Sequence, residues 1–218
     1  MYITLIDSNL NIVEIACRYG FDAYDSGIKN YQPVGKQIFY VIPIQSVGLS
    51  NNVVNSNYIE KFPNLEYTIK ELIKKYGKST KLGRFYLPIG SAIIKHMYQN
   101  IFIIISSTML LLQNVAETKN SYYCMKGVLN VLKKWGGVNN STDELIIVPF
   151  CCGVGGMVPK ESIQQINNSI NDFQDGSLVI TNGEKFFIDE PSLSTQPNYY
   201  ENGEWFNIDP EKIILKKI

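Results

Sequence analysis

The chain has 218 residues, 45% of them hydrophobic and 18% charged, with Lys+Arg and Asp+Glu balanced at 20 each. This length and apolar content predict one large domain, or one domain with a small addition, and exclude a disordered chain. Zero formal net charge removes the basic excess of a general polyanion binder, so nucleic acid is not an expected partner.

Strand and helix signals alternate along the chain. Tyr2 to Ile6 is a β-branched and aromatic run, read as a first strand because it lacks the basic flank and cleavage site of a signal peptide. Asp7-Ser8-Asn9 are good helix N-caps, Leu10, Val13 and Cys17 follow at helical spacing, and Gly20 can close that helix. Phe21 to Tyr31 leaves room for a short strand. Gln37 to Ile42 is continuously apolar after its first residue, as in a strand buried on both faces, and is expected to stop at Pro43. A polar loop is expected from Gln45 to Asn57.

Asn64 precedes the stripe Leu65, Ile69, Leu72, Ile73 and Tyr76, with Gly77 as the natural C-cap. Strands are expected over Ser91 to Lys95 and Ile101 to Ile105. The apolar run Ile101 to Leu112 contains Ser106, Ser107 and Thr108 and is too short to cross a bilayer. Met125, Val128, Leu129, Leu132 and Trp135 form a second helical stripe, stopped by Gly136-Gly137. Leu145 to Phe150 is a further buried strand, and Pro159 opens a helix carrying Ile163, Ile166, Ile170 and Phe173.

This order predicts an α/β protein: a three-layer α/β/α sandwich around a mixed, largely parallel sheet over residues 1–175. Residues 176–218 differ. Asn182-Gly183 and Asn202-Gly203 sit between strand-like runs and signal hairpins, so a small β-rich C-terminal appendage is expected. Its aromatics, Tyr199, Tyr200, Trp205 and Phe206, are expected to pack. The four cysteines show no zinc or disulfide spacing, which points to reduced thiols in the cytoplasm, with no metal and no cofactor.

The stretch Val148 to Pro159 carries the chemistry. A strand ends, three glycines occupy four positions (Gly153, Gly155 and Gly156), and a helix begins. Glycines permit positive φ and close approach to the backbone, and free N–H groups at a helix start suit a phosphate. A tight turn needed only for packing would look the same. No Gly-Lys-Ser/Thr follows, so this is not a Walker loop, and the spacing does not meet the dinucleotide fingerprint. Cys151 and Cys152 invite a thiol-phosphatase reading, but no Arg lies in the loop, so packing is the expected role of these thiols. A second loop, Gln45 to Asn55, also follows a buried strand. Ligands of open α/β sheets bind at the carboxyl ends of strands, so the two loops could face one crevice.

Together these segments resemble the macro domain family, in the subgroup whose loops read like SPANSFGFMDGGID and PGLGTGVGGM. The first loop aligns with Ile42 to Asn55 and the second with Val148 to Met157, best over Gly153-Val154-Gly155-Gly156-Met157. Leu87 to Ala92, and Ser106 to Met109 followed by Asn120-Ser121-Tyr122, resemble two further family segments in the same order. The resemblance implies binding of ADP-ribose or a related nucleotide, free or on an ADP-ribosylated macromolecule. It implies ligand contacts from Cys152, Gly153, Val154, Gly155, Gly156 and Met157 at the diphosphate. It implies contacts from Gln45, Ser46, Gly48, Asn51 and Asn52 at the distal ribose, and from Asp25, or Gly27 in its place, at the adenine. A glutamate at position 155 is then expected to fill the diphosphate site.

The departures from the family pattern bear on catalysis. Gln45 replaces the loop asparagine, Asn52-Val53 replaces the glycine pair, and no carboxylate remains from Gln45 to Asn55 to act as a base. His96, the single histidine, lies on or just after a predicted strand. Two further readings therefore stand beside nucleotide binding: an interaction protein that has lost the ligand, and an ADP-ribosyl hydrolase or ADP-ribose phosphatase.

Overall fold

A computed structural model describes residues 2–5, 32–33, 35–49, 53–111, 113–135, 143–176, 186–189 and 214–216. The main strands are β1 (Tyr2–Leu5), β2 (Ile38–Gln45), β5 (Ala92–Tyr98), β6 (Ile101–Met109), β7 (Glu144–Ile147), β8 (Phe186–Asp189) and β9 (Ile214–Lys216). They form one sheet in the order β8-β5-β6-β2-β7-β1-β9. From β6 to β9 neighbours run parallel; β5 is antiparallel to β6, and β8 is parallel to β5. A small antiparallel pair, β3 (Lys78–Ser79) and β4 (Phe85–Tyr86), lies apart. The helices are α1 (Val53–Lys61), α2 (Leu65–Tyr76), α3 (Asn120–Trp135) and α4 (Pro159–Gln174).

The period-two alternation of β2 divides the core. Phe39 and Val41 pack with Met125, Leu129, Ile166 and Ile170 of α3 and α4. Tyr40, Ile42 and Ile44 pack with Tyr58 of α1, Phe62 just after it, and Leu65 and Ile69 of α2. Helices thus cover both faces, and the chain is a three-layer α/β/α sandwich with a mixed, mostly parallel sheet.

Three local differences from the sequence reading have physical causes. Strand β2 continues through Pro43 to Gln45. On one side β7 pairs only with Ile38 to Tyr40, so at Pro43 that side of β2 is an edge, where a missing N–H costs little. Part of the expected polar loop is helix α1. Its sequence, VVNSNYIEK, has no clear apolar stripe, and it is held instead by burial of Tyr58 and by the Tyr58 hydroxyl donating to the Val41 carbonyl at 2.8 Å. Strand β6 runs on to Met109 because its hydroxyls find acceptors: Thr108 Oγ1 donates to Ile44 O at 3.0 Å, and Ser106 Oγ reaches Ser91 O and Cys124 O at 3.3 Å.

The described strands of the tail join the main sheet, β8 beside β5 and β9 beside β1. Both Asn-Gly turns, the tail aromatics, the helix expected over Leu10 to Cys17 and Gly136-Gly137 lie outside the described residues. Asp189 fastens β8. Its carboxylate accepts from Lys95 Nζ at 2.6 Å, Lys75 Nζ at 2.8 Å and Tyr76 Oη at 2.9 Å. Burial pushes this carboxyl up, but Lys75, Lys95 and Tyr76 together hold it below the ordinary aspartate range. At the amino ends of the central strands, Asp143 accepts from Gln37 N at 3.2 Å and Glu144 from Gly35 N at 3.1 Å, which pins the chain leading into β2.

Two outcomes are expected. A Cβ on Gly127 of α3 would collide with the Gly90 carbonyl. Gly127→Ala should therefore cost about 3 kcal/mol by overpacking; an unchanged urea midpoint would contradict this packing. A depressed folded-state pKa stabilises the protein above the unfolded value, and that contribution is lost as pH falls through the folded value. Asp189→Asn should thus lower the urea midpoint at pH 7, and its deficit against the parent should shrink below about pH 4, the ordinary aspartate range. A deficit independent of pH would remove the ion-pair account.

Candidate functional site

The glycine turn begins where β7 ends. Cys151 has φ 61°, Gly153 φ 84° and Gly156 φ 72°, with a short 3₁₀ turn over Gly153–Gly155 between them. Glycine takes such angles freely, whereas a residue with a Cβ does so at a cost of roughly 1–2 kcal/mol. Cys151 is held there by its surroundings. It is 5% exposed, its carbonyl accepts from Met157 N at 3.1 Å, and its Sγ lies 3.9 Å from Thr108 O.

The N–H groups of the turn are not equivalent. Gly156 N donates to Gly153 O at 2.8 Å and Met157 N to Cys151 O. Among the described residues, the Gly153 and Val154 N–H groups meet no acceptor. Val154 is 47% exposed, whereas the Met157 side chain is buried in the core.

Two other strand exits close on this turn. At the end of β2, Gln45 and Gly48 bond each other's backbones at 2.9 and 3.1 Å, and Ser46 N donates to Met109 O at 2.8 Å. The Ser46 and Ser107 hydroxyls pair at 2.9 Å. Gln45 is only 9% exposed, yet its side-chain amide has no partner among the described residues. At the end of β6, Met109 is the ladder partner of Gln45, and its Cε lies 3.2 Å from where a Gly155 Cβ would stand. Val115, six residues on, donates its N–H to Gly155 O at 2.8 Å. Gln45, Ser46 and Gly48 are thereby linked to Gly153–Met157 through Met109. Asn51, Asn52, Asp25 and Gly27 lie outside the described residues.

The structure revises the expectation for Gly155. A Cβ there would point at Val115 Cγ2, Met109 Cε and Cys151 Cβ at 3.0, 3.2 and 3.5 Å. A glutamate would be driven into the core instead of filling a ligand site. The segment that follows β6, Gln113 to Thr118, was not singled out from the sequence. It carries no glycine, no charge cluster and no apolar period to mark it.

His96 is remote from these exits. It pairs with Phe102 near the start of β6, its Nε2 lies 2.8 Å from Gln99 O, and Met109 is roughly 23 Å further along the strand at ~3.3 Å per residue. The cysteines fit the packing role. Burial pushes the Cys124 thiol up to about 12, and burial likewise pushes Cys151 well above the ordinary thiol range. Cys152 is half-buried. No cluster of three His, Cys, Asp or Glu suited to a metal exists among the described residues, and no helix among them is long and apolar enough to cross a membrane. A cavity of about 560 Å³ between α2 and β8 is lined by Tyr67, Thr68, Lys75, Lys95 and Asp189 and shares no residue with the three exits.

No known family profile matches the sequence, and no curated protein matches it. Solved structures do. The macrodomain of Mycobacterium tuberculosis DarG is 14% identical, with a TM-score of 0.48 over 74% of this chain and 92% of that one. The Oceanobacillus iheyensis macrodomain with ADP is 18% identical, with a TM-score of 0.46 over 70% of this chain and 75% of that one. Thermosipho africanus DarTG in complex with ADP-ribose is 13% identical, with a TM-score of 0.43 over 74% of this chain and 40% of that one. The likeness is one of fold alone.

The thiol geometry has a direct check. Among the described cysteines, iodoacetamide at neutral pH should alkylate Cys152 in the native protein, and Cys124 and Cys151 only after unfolding. Peptide mass spectrometry reads the order; native labelling of Cys151 first would refute its burial.

Proposed function

We propose that the chain binds ADP-ribose or a related nucleotide, with the diphosphate seated on the glycine turn. The observation that carries this reading is the pair of unspent N–H groups at Gly153 and Val154, placed where the central strands end. Turns whose φ changes sign residue by residue gather N–H groups into anion-binding concavities, and the start of α4 adds a favourable dipole.

A second support comes from how the four segments that carry the sequence resemblance are joined. Leu87 N donates to Ser46 O at 2.7 Å, Gly90 N to Ser107 O at 2.9 Å, and Ser107 pairs with Ser46. Met109 links this group to the glycine turn. Segments far apart in sequence therefore meet at one end of the sheet, with the buried Gln45 amide among them. Cys152, Gly153 and Val154 would meet the diphosphate. Gln45, Ser46, Gly48, Asn51 and Asn52 would meet the distal ribose, and Asp25 the adenine.

Binding is favoured over turnover because Gln45 to Asn55 offers no carboxylate base. The nucleotide would be free or carried on an ADP-ribosylated macromolecule. The three free cysteines among the described residues fit a reducing, cytoplasmic setting. One observation favours a second reading, a protein-docking face without ligand: Val47, Leu110, Leu111, Val154 and Val158, all near the three exits, are between 47% and 59% exposed.

Calorimetry and thermal shift separate these readings. ADP-ribose and ADP should release heat and raise Tm, with about 2.7 kcal/mol of stabilisation at a hundredfold excess over Kd. Adenosine, which lacks the diphosphate, should bind far more weakly. No heat with ADP-ribose, its phosphates or its cyclic forms would sink nucleotide binding and leave the docking face.

A further inference from the structure

We infer that Asn114 is a ligand-contacting residue, its side-chain amide donating to the anionic part of a nucleotide on the glycine turn. The inference rests on the nucleotide-binding reading above and names a residue outside the segments that suggested it.

Asn114 lies on the β6–α3 connection, beside Gly156. Its carboxamide group is 3.3–3.4 Å from where a Gly156 Cβ would stand, so the amide occupies the space that a side chain on the turn would claim. Gly156 itself sits at φ 72°, a conformation only glycine takes without strain. The absence of a side chain at 156 lets the Asn114 amide come within reach of the turn.

The orientation of that amide is set. Asn114 Oδ1 accepts from Ala116 N at 2.9 Å, and Nδ2 lies 3.3 Å from where a Gly156 Cβ would stand. Among the described residues Nδ2 has no acceptor, and Asn114 is exposed. Two donor hydrogens are therefore available beside Gly156, on the same turn as the free Gly153 and Val154 N–H groups.

The loop that carries Asn114 is tied down directly after it. Val115 is 1% exposed and bonds Gly155 O; Thr118 N and Oγ1 both bond Val115 O, at 3.1 and 2.7 Å; and Gln165 of α4 donates to Thr118 O at 2.8 Å. A donor held in place before the ligand arrives loses little entropy on binding. Neither Val148–Val158 nor Met109–Thr118 contains Lys or Arg, although Lys119 and Lys160 stand just beyond them, so the donors within these two segments are neutral.

Asn114→Asp provides the test. Aspartate has the same shape and still accepts from Ala116 N, so the loop is kept. It removes the Nδ2 donor and adds a negative charge. Titration calorimetry with ADP-ribose should show affinity reduced at least tenfold, with the loss shrinking at high salt because exposed charge repulsion is screened. Asn114→Ala should lose less than Asn114→Asp, and its loss should not depend on salt. Urea midpoints of the parent and Asn114→Asp should agree. If the parent binds ADP-ribose and Asn114→Asp binds it equally well, the role of Asn114 is overturned while the nucleotide reading stands. A salt-independent loss accompanied by a lowered urea midpoint also overturns it, by making Asn114 structural. If the parent binds no ADP-ribose, the nucleotide reading fails and this inference fails with it.

Discussion

The backbone ladder between β2 and β6 is the constraint on which the rest depends. It aligns the two strands residue by residue from Ile38 against Ile101 to Ile44 against Ser107, then slips by one so that Gln45 faces Met109. At that slip the two strands part, and every polar group beyond it needs a new partner. The partners come from within the same end of the sheet: Ser46 N to Met109 O, Ser46 Oγ to Ser107 Oγ, Asn120 Nδ2 to Thr108 O at 2.8 Å, and Leu87 N to Ser46 O. Among the groups that keep no protein partner within the described residues are the Gln45 amide, the Gly153 and Val154 N–H groups and Asn114 Nδ2. Under the nucleotide-binding proposal, these are the donors that a ligand acceptor would use.

Much of this was legible in the sequence, for definite reasons. Helices α2 and α4 announced themselves because an apolar stripe of helical period lay between a clear start and, for α2, a clear stop at Gly77. Strands β2 and β6 did so because burial on both faces demands uninterrupted apolar residues. The glycine turn stood out because positive φ at Gly153 and Gly156 admits almost nothing else. Helix α1 was hidden because its stability comes from tertiary anchors, Tyr58 and Phe62, and not from local pattern. The continuation of β2 past Pro43 was hidden because it depends on how short β7 is, a fact about a different segment.

The site was legible as a set of residue types and not as directions. Gly155 and Gly156 look alike in sequence, but the missing Cβ of one faces the core and that of the other faces the Asn114 amide. Which of the consecutive N–H groups are free could not be read either, since Gly156 and Met157 spend theirs on carbonyls of the same turn. Asn114 escaped notice because nothing in Gln113 to Thr118 is periodic, charged or glycine-rich. Its place is defined only by the hydrogen bond from Val115 to Gly155.

The two segments themselves carry neutral donors, with Lys119 and Lys160 just beyond them, and this bears on how the proposed site would hold an anion. A lysine or arginine would hold a diphosphate by charge and tolerate loose geometry. Neutral donors are individually worth about 1 kcal/mol net, rising to roughly 1.5–3 kcal/mol toward a charged acceptor, and only when correctly aimed. Such a site must therefore be rigid before the ligand binds. The left-handed backbone at Cys151, buried and held by Met157 N, and the doubly tied loop around Val115 supply that rigidity. Strain of this kind persists only where the surrounding structure over-determines the conformation; among the described non-glycine residues it occurs at Cys151 here, and elsewhere at Asn64 and Gln99. The carboxyl groups of Asp143 and Glu144 lie at the opposite, amino ends of the strands, whereas Glu117 shares the loop of Asn114 and Glu161 stands in the first turn of α4.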